Sequence, residues 1–90
     1  MKRTIITVVG KDTVGIIAKV CTYLADNNMN ILDISQTITG GFFNMMMIVD
    51  VSASGKAFAD VKSDLEELGK GIGVSIHVQS EEVFDMMHRI

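Results

Sequence analysis

From Arg3 to Val9 the chain is β-branched almost throughout and apolar on both faces over its second half, the pattern of a central strand. After the turn Gly10-Lys11-Asp12-Thr13-Val14-Gly15 the period changes. Val14, Ile17, Ala18, Cys21 and Leu24 recur at three- and four-residue spacing, which predicts a helix with that stripe buried. Asp12 or Thr13 is its expected cap, and Asp26-Asn27-Asn28 its expected end. Met29 to Thr39 alternates: Leu32, Ile34 and Ile38 on one face, Asp33, Ser35, Thr37 and Thr39 on the other. That reads as a half-buried antiparallel strand at a sheet edge. Gly40-Gly41 supplies a tight hairpin turn. Phe42 to Val51 follows as a strand that is apolar on both faces. A loop at Ser52 to Gly55 leads to a helix over Lys56 to Leu68 with Phe58, Val61, Leu65 and Leu68 buried. Gly69, Gly71 and Gly73 are expected to break it. Val74, Ile76 and Val78 alternate with Ser75, His77 and Gln79 as a last strand. Residues 81–90 pattern as a short amphipathic helix with Ser80 as cap.

The predicted order is βαββαβ plus a tail helix. It is two βαβ halves joined at Gly40-Gly41, the ferredoxin-like arrangement. Right-handed crossovers put both helices on one face of a four-stranded antiparallel sheet and leave the other face uncovered. The expected organisation is one α+β sandwich domain over 1–80 and a helical tail over 81–90. Because the third strand carries Phe42, Met46 and Ile48 opposite Phe43, Met45, Met47 and Val49, a lone copy would show large apolar side chains to water. A homo-oligomer, most simply a dimer, is therefore expected. The competing arrangement folds the tail back over the sheet.

Composition narrows the function. Ninety residues, 48% hydrophobic and 21% charged, make one globular domain with a modest core. A net charge of −3 gives no basic stripe for nucleic acid or a membrane surface. The longest apolar run, Met45 to Val49, is too short to span a bilayer, and the N-terminus lacks the pattern of a secretory signal. With Cys21 as the single cysteine there is no internal disulfide, and a cytoplasmic location is the expectation.

Several functions of this architecture are disfavoured by chemistry. RNA recognition needs basic residues beside exposed aromatics, yet between Arg3 and Lys56 only Lys11 and Lys19 are basic. A metal carrier needs paired cysteines. Phosphoryl chemistry in the first loop would want an arginine, and none lies between Arg3 and Arg89. His77 and His88 read as surface or packing residues, Cys21 as a small hydrophobe, and Glu66-Glu67 and Glu81-Glu82 as solvated charges. The run Met45-Met46-Met47 fits an adaptable interface or core filling equally. No enzyme, cofactor or metal site is expected.

What stands out is the glycine-bracketed turn between the first strand and helix. It aims backbone N–H groups and a helix dipole at one spot, where a carboxylate or phosphate can sit. Gly10-Lys11-Asp12-Thr13-Val14-Gly15-Ile16-Ile17-Ala18-Lys19-Val20, then Tyr23-Leu24-Ala25, then Asn30-Ile31-Leu32-Asp33, resembles the signature of ACT domains. These are βαββαβ regulatory modules that bind amino acids and other small ligands. The resemblance covers roughly residues 4–79. It is greatest to small stand-alone bacterial and archaeal proteins related to the regulator of the glycine cleavage system. One departure is Val14, where many ACT domains carry proline.

The resemblance implies a ligand held between the first βα loop of one subunit and the second strand of another. By position the loop side is Gly10, Asp12, Val14, Gly15 and Ile16; the strand side is Asn30, Ile31 and Asp33. Backbone N–H groups at Gly15 and Ile16 suit a carboxylate. Asp12 or Asp33 suits an ammonium, and Asn30 can donate and accept. The alternative is an interaction module without a small ligand, in which those residues only cap, turn and start elements. Either way the regulated target is a separate protein or the chain's own assembly.

Overall fold

The computed structural model describes residues 3–11 and 15–81. Asp12, Val14 and the tail helix expected beyond Glu81 lie outside them. The elements are β1 (Arg3–Lys11), α1 (Ile16–Asp26), β2 (Asn30–Thr39), β3 (Phe42–Asp50), α2 (Phe58–Ile72) and β4 (Val74–Ser80). They form a four-stranded antiparallel sheet in the order β2-β3-β1-β4, the ferredoxin-like architecture. Gly40 and Gly41 join β2 to β3 with φ of 59° and 82°, the two positive values a type I′ hairpin demands.

The core lies between sheet and helices. β1 contributes Ile6 and Val8; β3 contributes Phe43, Met45, Met47 and Val49; β4 contributes Val74, Ile76 and Val78. The helices close it with Ile16, Val20 and Leu24 from α1 and Val61 and Leu65 from α2. Two of the three consecutive methionines, Met45 and Met47, are therefore core, and Met46 is exposed on the opposite face with Phe42 and Val9. That face is open at its Phe42 end, while Ile5, further along it, is buried.

Several expectations are corrected. The buried stripe of α1 is Ile16, Val20 and Leu24; of the expected stripe Leu24 is buried, Ile17, Ala18 and Cys21 are not, and Val14 lies outside the described residues. Spacing alone admits two phases for this stripe. The phase chosen turns Ile17 outward and leaves Cys21 half-buried. The N-cap position of α1 is Gly15, at φ 90°, and the expected capping residues Asp12 and Thr13 lie outside the described residues. β2 is the edge strand expected, but all ten of its residues are exposed rather than half of them. Phe58, expected to be buried, is the first residue of α2 and is exposed.

The glycines at 69 and 71 do not end α2, which continues to Ile72 and stops at Gly73 in the left-handed conformation. Gly69 is buried where the helix crosses β4. A Cβ there would sit 2.7 Å from the Val74 carbonyl oxygen and 3.0 Å from Ile76 Cγ1. Close approach of helix to strand, not helix termination, is what that glycine supplies.

Candidate functional site

The first βα turn is built from the backbone. Gly10, the penultimate residue of β1, pairs with Val74 of β4, and a Cβ on it would lie 2.7 Å from Val74 Cγ1. Its role is thus packing against β4. Gly15 is different: its left-handed φ favours glycine, yet among the described residues none outside its chain neighbours lies within 4 Å of where a Cβ would point. The surface there is open to an incoming group. The Gly15 carbonyl accepts from the Lys19 N–H at 3.0 Å, which starts the helix. The N–H groups of the first turn have no carbonyl partner inside α1, and among the described residues no side chain caps them, so they form a local positive pole. Ile16 is buried and anchors that turn to the core.

Asn30, Ile31 and Asp33 are elsewhere. Asn30 lies opposite Asp50 and Ile31 opposite Val49, whereas Gly10 lies opposite Phe43 on the same central strand. Six residues of β3 separate the two sets, about 20 Å at strand rise. One copy of the chain therefore does not bring loop and strand residues together. A bulge between Ile31 and Asp33 resets the pleat. Ile31 and Ile34 end on the helix side, with Val49 and Met47, while Asp33 faces the open side with Ile48. Asp33 Oδ1 accepts from the Ile34 N–H at 2.8 Å.

Sequence reasoning named Ile31 but missed the apolar shoulder around it. Ile34 and Ile38 lie on the same side of β2, opposite core residues Met47 and Phe43, and are 43% and 60% exposed. The signal was present as the apolar half of the β2 alternation; its exposure depends on how far α1 reaches.

α1 is held to α2 by a polar cluster. Tyr23 Oη donates to Asp64 Oδ2 at 2.7 Å, and Lys56 Nζ donates to the same oxygen at 2.5 Å. The Lys56 ammonium lies 5.7 Å from the centre of the Tyr23 ring. The hydrogen bond from Lys56, and then that from Tyr23, holds the Asp64 carboxyl below its ordinary range. Burial first, and then the bond to Asp64, raises the Tyr23 phenol above its usual value.

Strand order, helices and a glycine-capped first helix define a ferredoxin-like α+β domain. Within that class the chain belongs to the ACT-domain family, whose model matches residues 2–79. It is similar to a UPF0237 protein of Bifidobacterium longum, 61% identical over 90 residues and the full length of both chains. It is also similar to an ACT domain protein from Streptococcus pneumoniae, at 39% identity and a TM-score of 0.82 over 93% of this chain and 94% of that one. A protein assigned as a glycine cleavage system transcriptional repressor shares the fold, with 22% identity and a TM-score of 0.76 over 88% of this chain and 45% of that one. ACT domains are in general regulatory modules that bind small molecules, amino acids above all. Among the described residues no helix is long and apolar enough to cross a membrane.

Proposed function

We propose that the chain is a regulatory module that senses an amino acid at the seam between two copies in the cytoplasm. One observation carries this reading. Loop and strand halves of the candidate site lie at opposite ends of a sheet whose β2 edge is ten residues long, wholly exposed and unpaired on its outer side. Such an edge invites another strand. If two copies pair β2 to β2 antiparallel about a two-fold axis, each strand's start meets the end of its partner. Asn30, Ile31 and Asp33 of one copy then lie at the end of the sheet that carries Gly15 of the other. The apolar shoulders at Ile34 and Ile38 meet in the same movement and leave water.

In that site the first-turn N–H groups of α1 receive the ligand carboxylate. Asp12 or Asp33 receives the ammonium, and Asn30 completes the polar contacts. Val14 and Gly10 shape the loop. A ligand bound at the seam favours the paired state, so binding changes assembly, and assembly is the output.

The test is a thermal-shift screen against the twenty amino acids, repeated with Gly15→Asp. At its left-handed φ any L residue at Gly15 is strained, so Gly15→Ala, which carries that strain without the charge, is the control, and the added charge of the aspartate repels a carboxylate. A selective shift of roughly 10 °C near a hundredfold excess over Kd, lost in Gly15→Asp, is the expected result. No shift with any amino acid would favour the second reading, a protein-docking module. The specific observation behind that reading is the exposed set Val9, Phe42 and Met46 on the open sheet face.

A further inference from the structure

The sheet face turned away from the helices has two ends of different character. Ile5 and Val9 of β1 both stand on it, four residues apart. Ile5 is flanked by Ile48 of β3 and Gln79 of β4, and Val9 by Asn44 and Ser75. Val9 is 41% exposed, as expected of a face open to water, and Phe42 and Met46 are exposed near it. Ile5 is 3% exposed.

The sheet itself does not account for that difference. β1 has a strand on each side along its whole length, and strand neighbours shield the flanks of a side chain rather than its tip. The core does not account for it either. Every other buried apolar residue described belongs to the core between sheet and helices, and Ile5 alone stands outside it. Both helices pack on the opposite face. The cover over Ile5 therefore comes from outside residues 3–11 and 15–81.

Three segments qualify by position. Residues 12–14 follow Lys11, six residues along β1 from Ile5, about 20 Å away at strand rise. Met1 and Lys2 bring one apolar side chain. Residues 82–90 start in the right place: Ser80 pairs with Thr4, and Arg3 Nη1 donates to Glu81 Oε2 at 3.3 Å. The segment thus sets out from beside Ile5. Its nine residues can reach up to about 30 Å, and Val83, Phe84, Met86, Met87 and Ile90 among them are apolar.

We propose that the sheet face around Ile5 and Ile48 is a docking surface for residues 82–90 of the same copy. The apolar side chains of the segment lie against Ile5 and the half-buried Ile48, and Val9, Phe42 and Met46 stay outside the contact. A face occupied at one end cannot stack flat on the same face of a second copy. The docked segment therefore directs self-association away from that face and toward the β2 edge.

The test is NMR on the full chain with ¹³C-labelled Ile, Val and Met methyl groups. The expected result is nuclear Overhauser contacts from the Ile5 and Ile48 methyls to those of Val83, Met86 or Met87. In a mixture of labelled and unlabelled copies, filtered for contacts between copies, those cross-peaks should be absent. Phe84→Ser should weaken them and shift the Ile5 and Ile48 methyl resonances, while the Val9 methyls hold their positions. Absence of any contact to residues 82–90 in the native chain would overturn the proposal. So would contacts that appear only between copies, which would assign the surface to a second copy's segment. Ile5 and Ile48 resonances unmoved in Phe84→Ser would overturn it as well, and because the contacts are read on the native chain, the proposal stays testable if that variant fails to fold.

Discussion

Two glycines two residues apart on α2 call for opposite outcomes. At Gly69 a methyl group would strike the backbone of β4 at 2.7 Å, and the strand cannot move without losing its ladder to β1. At Gly71 nothing lies within 4 Å, and the residue is helical. Gly69→Ala should therefore destabilise by about 1–3 kcal/mol or more, the range for overpacking, despite alanine's better helix propensity. Gly71→Ala should stabilise by about 0.5–1 kcal/mol. Urea denaturation of the two variants checks both signs. Tyr23 offers a second test at this scale. Tyr23→Phe removes a bond to a carboxylate and should cost on the order of 1 kcal/mol near neutral pH. The depressed Asp64 value means its contribution is present above about pH 4 and lost as pH falls through the folded value. The raised Tyr23 value means its contribution is present below about pH 10 and lost as pH climbs beyond. The gap between wild type and Tyr23→Phe should thus be widest between those limits and close on both sides, as denaturation across pH would show.

Among the elements, β2 and α1 decide most. β2 is legible as a strand from its alternation, and as an edge from its polar half. Its full exposure is not legible, because burial there depends on how the helices lie across the sheet, which periodicity does not record. A single lysine on the apolar side of an exposed edge is how proteins discourage strand pairing. Ile38→Lys should leave the monomer's stability within about 0.5 kcal/mol, since Ile38 is 60% exposed, and should shift the chain toward monomer in sedimentation. Unchanged self-association would remove β2 from the interface. For α1, the period of three and four residues was readable but its phase was not. Gly15 in the left-handed region starts the helix one residue before Ile16, and that choice sends Ile17 outward. The candidate loop was legible because glycines flank it in sequence; that Gly10 serves β4 rather than a ligand became visible only through its pairing with Val74.

For the molecule as a whole, the seam between two copies makes a prediction of its own. If the seam is the sensor, the ligand's apparent affinity rises with protein concentration, because only the paired form carries a complete site. A titration repeated at two protein concentrations checks this, and an unchanged affinity would place the whole site within one copy. What the sequence determined alone is the order βαββαβ, the sheet with both helices on one face, the hairpin at Gly40-Gly41 and family membership, because these follow from period, turn chemistry and motif, which are local. What only the tertiary structure decided is the helix phase of α1, the persistence of α2 through Gly69 and the separation of about 20 Å between the two halves of the candidate site. Each of these depends on which atoms from distant parts of the chain come within a few ångströms of one another, and periodicity carries no record of that.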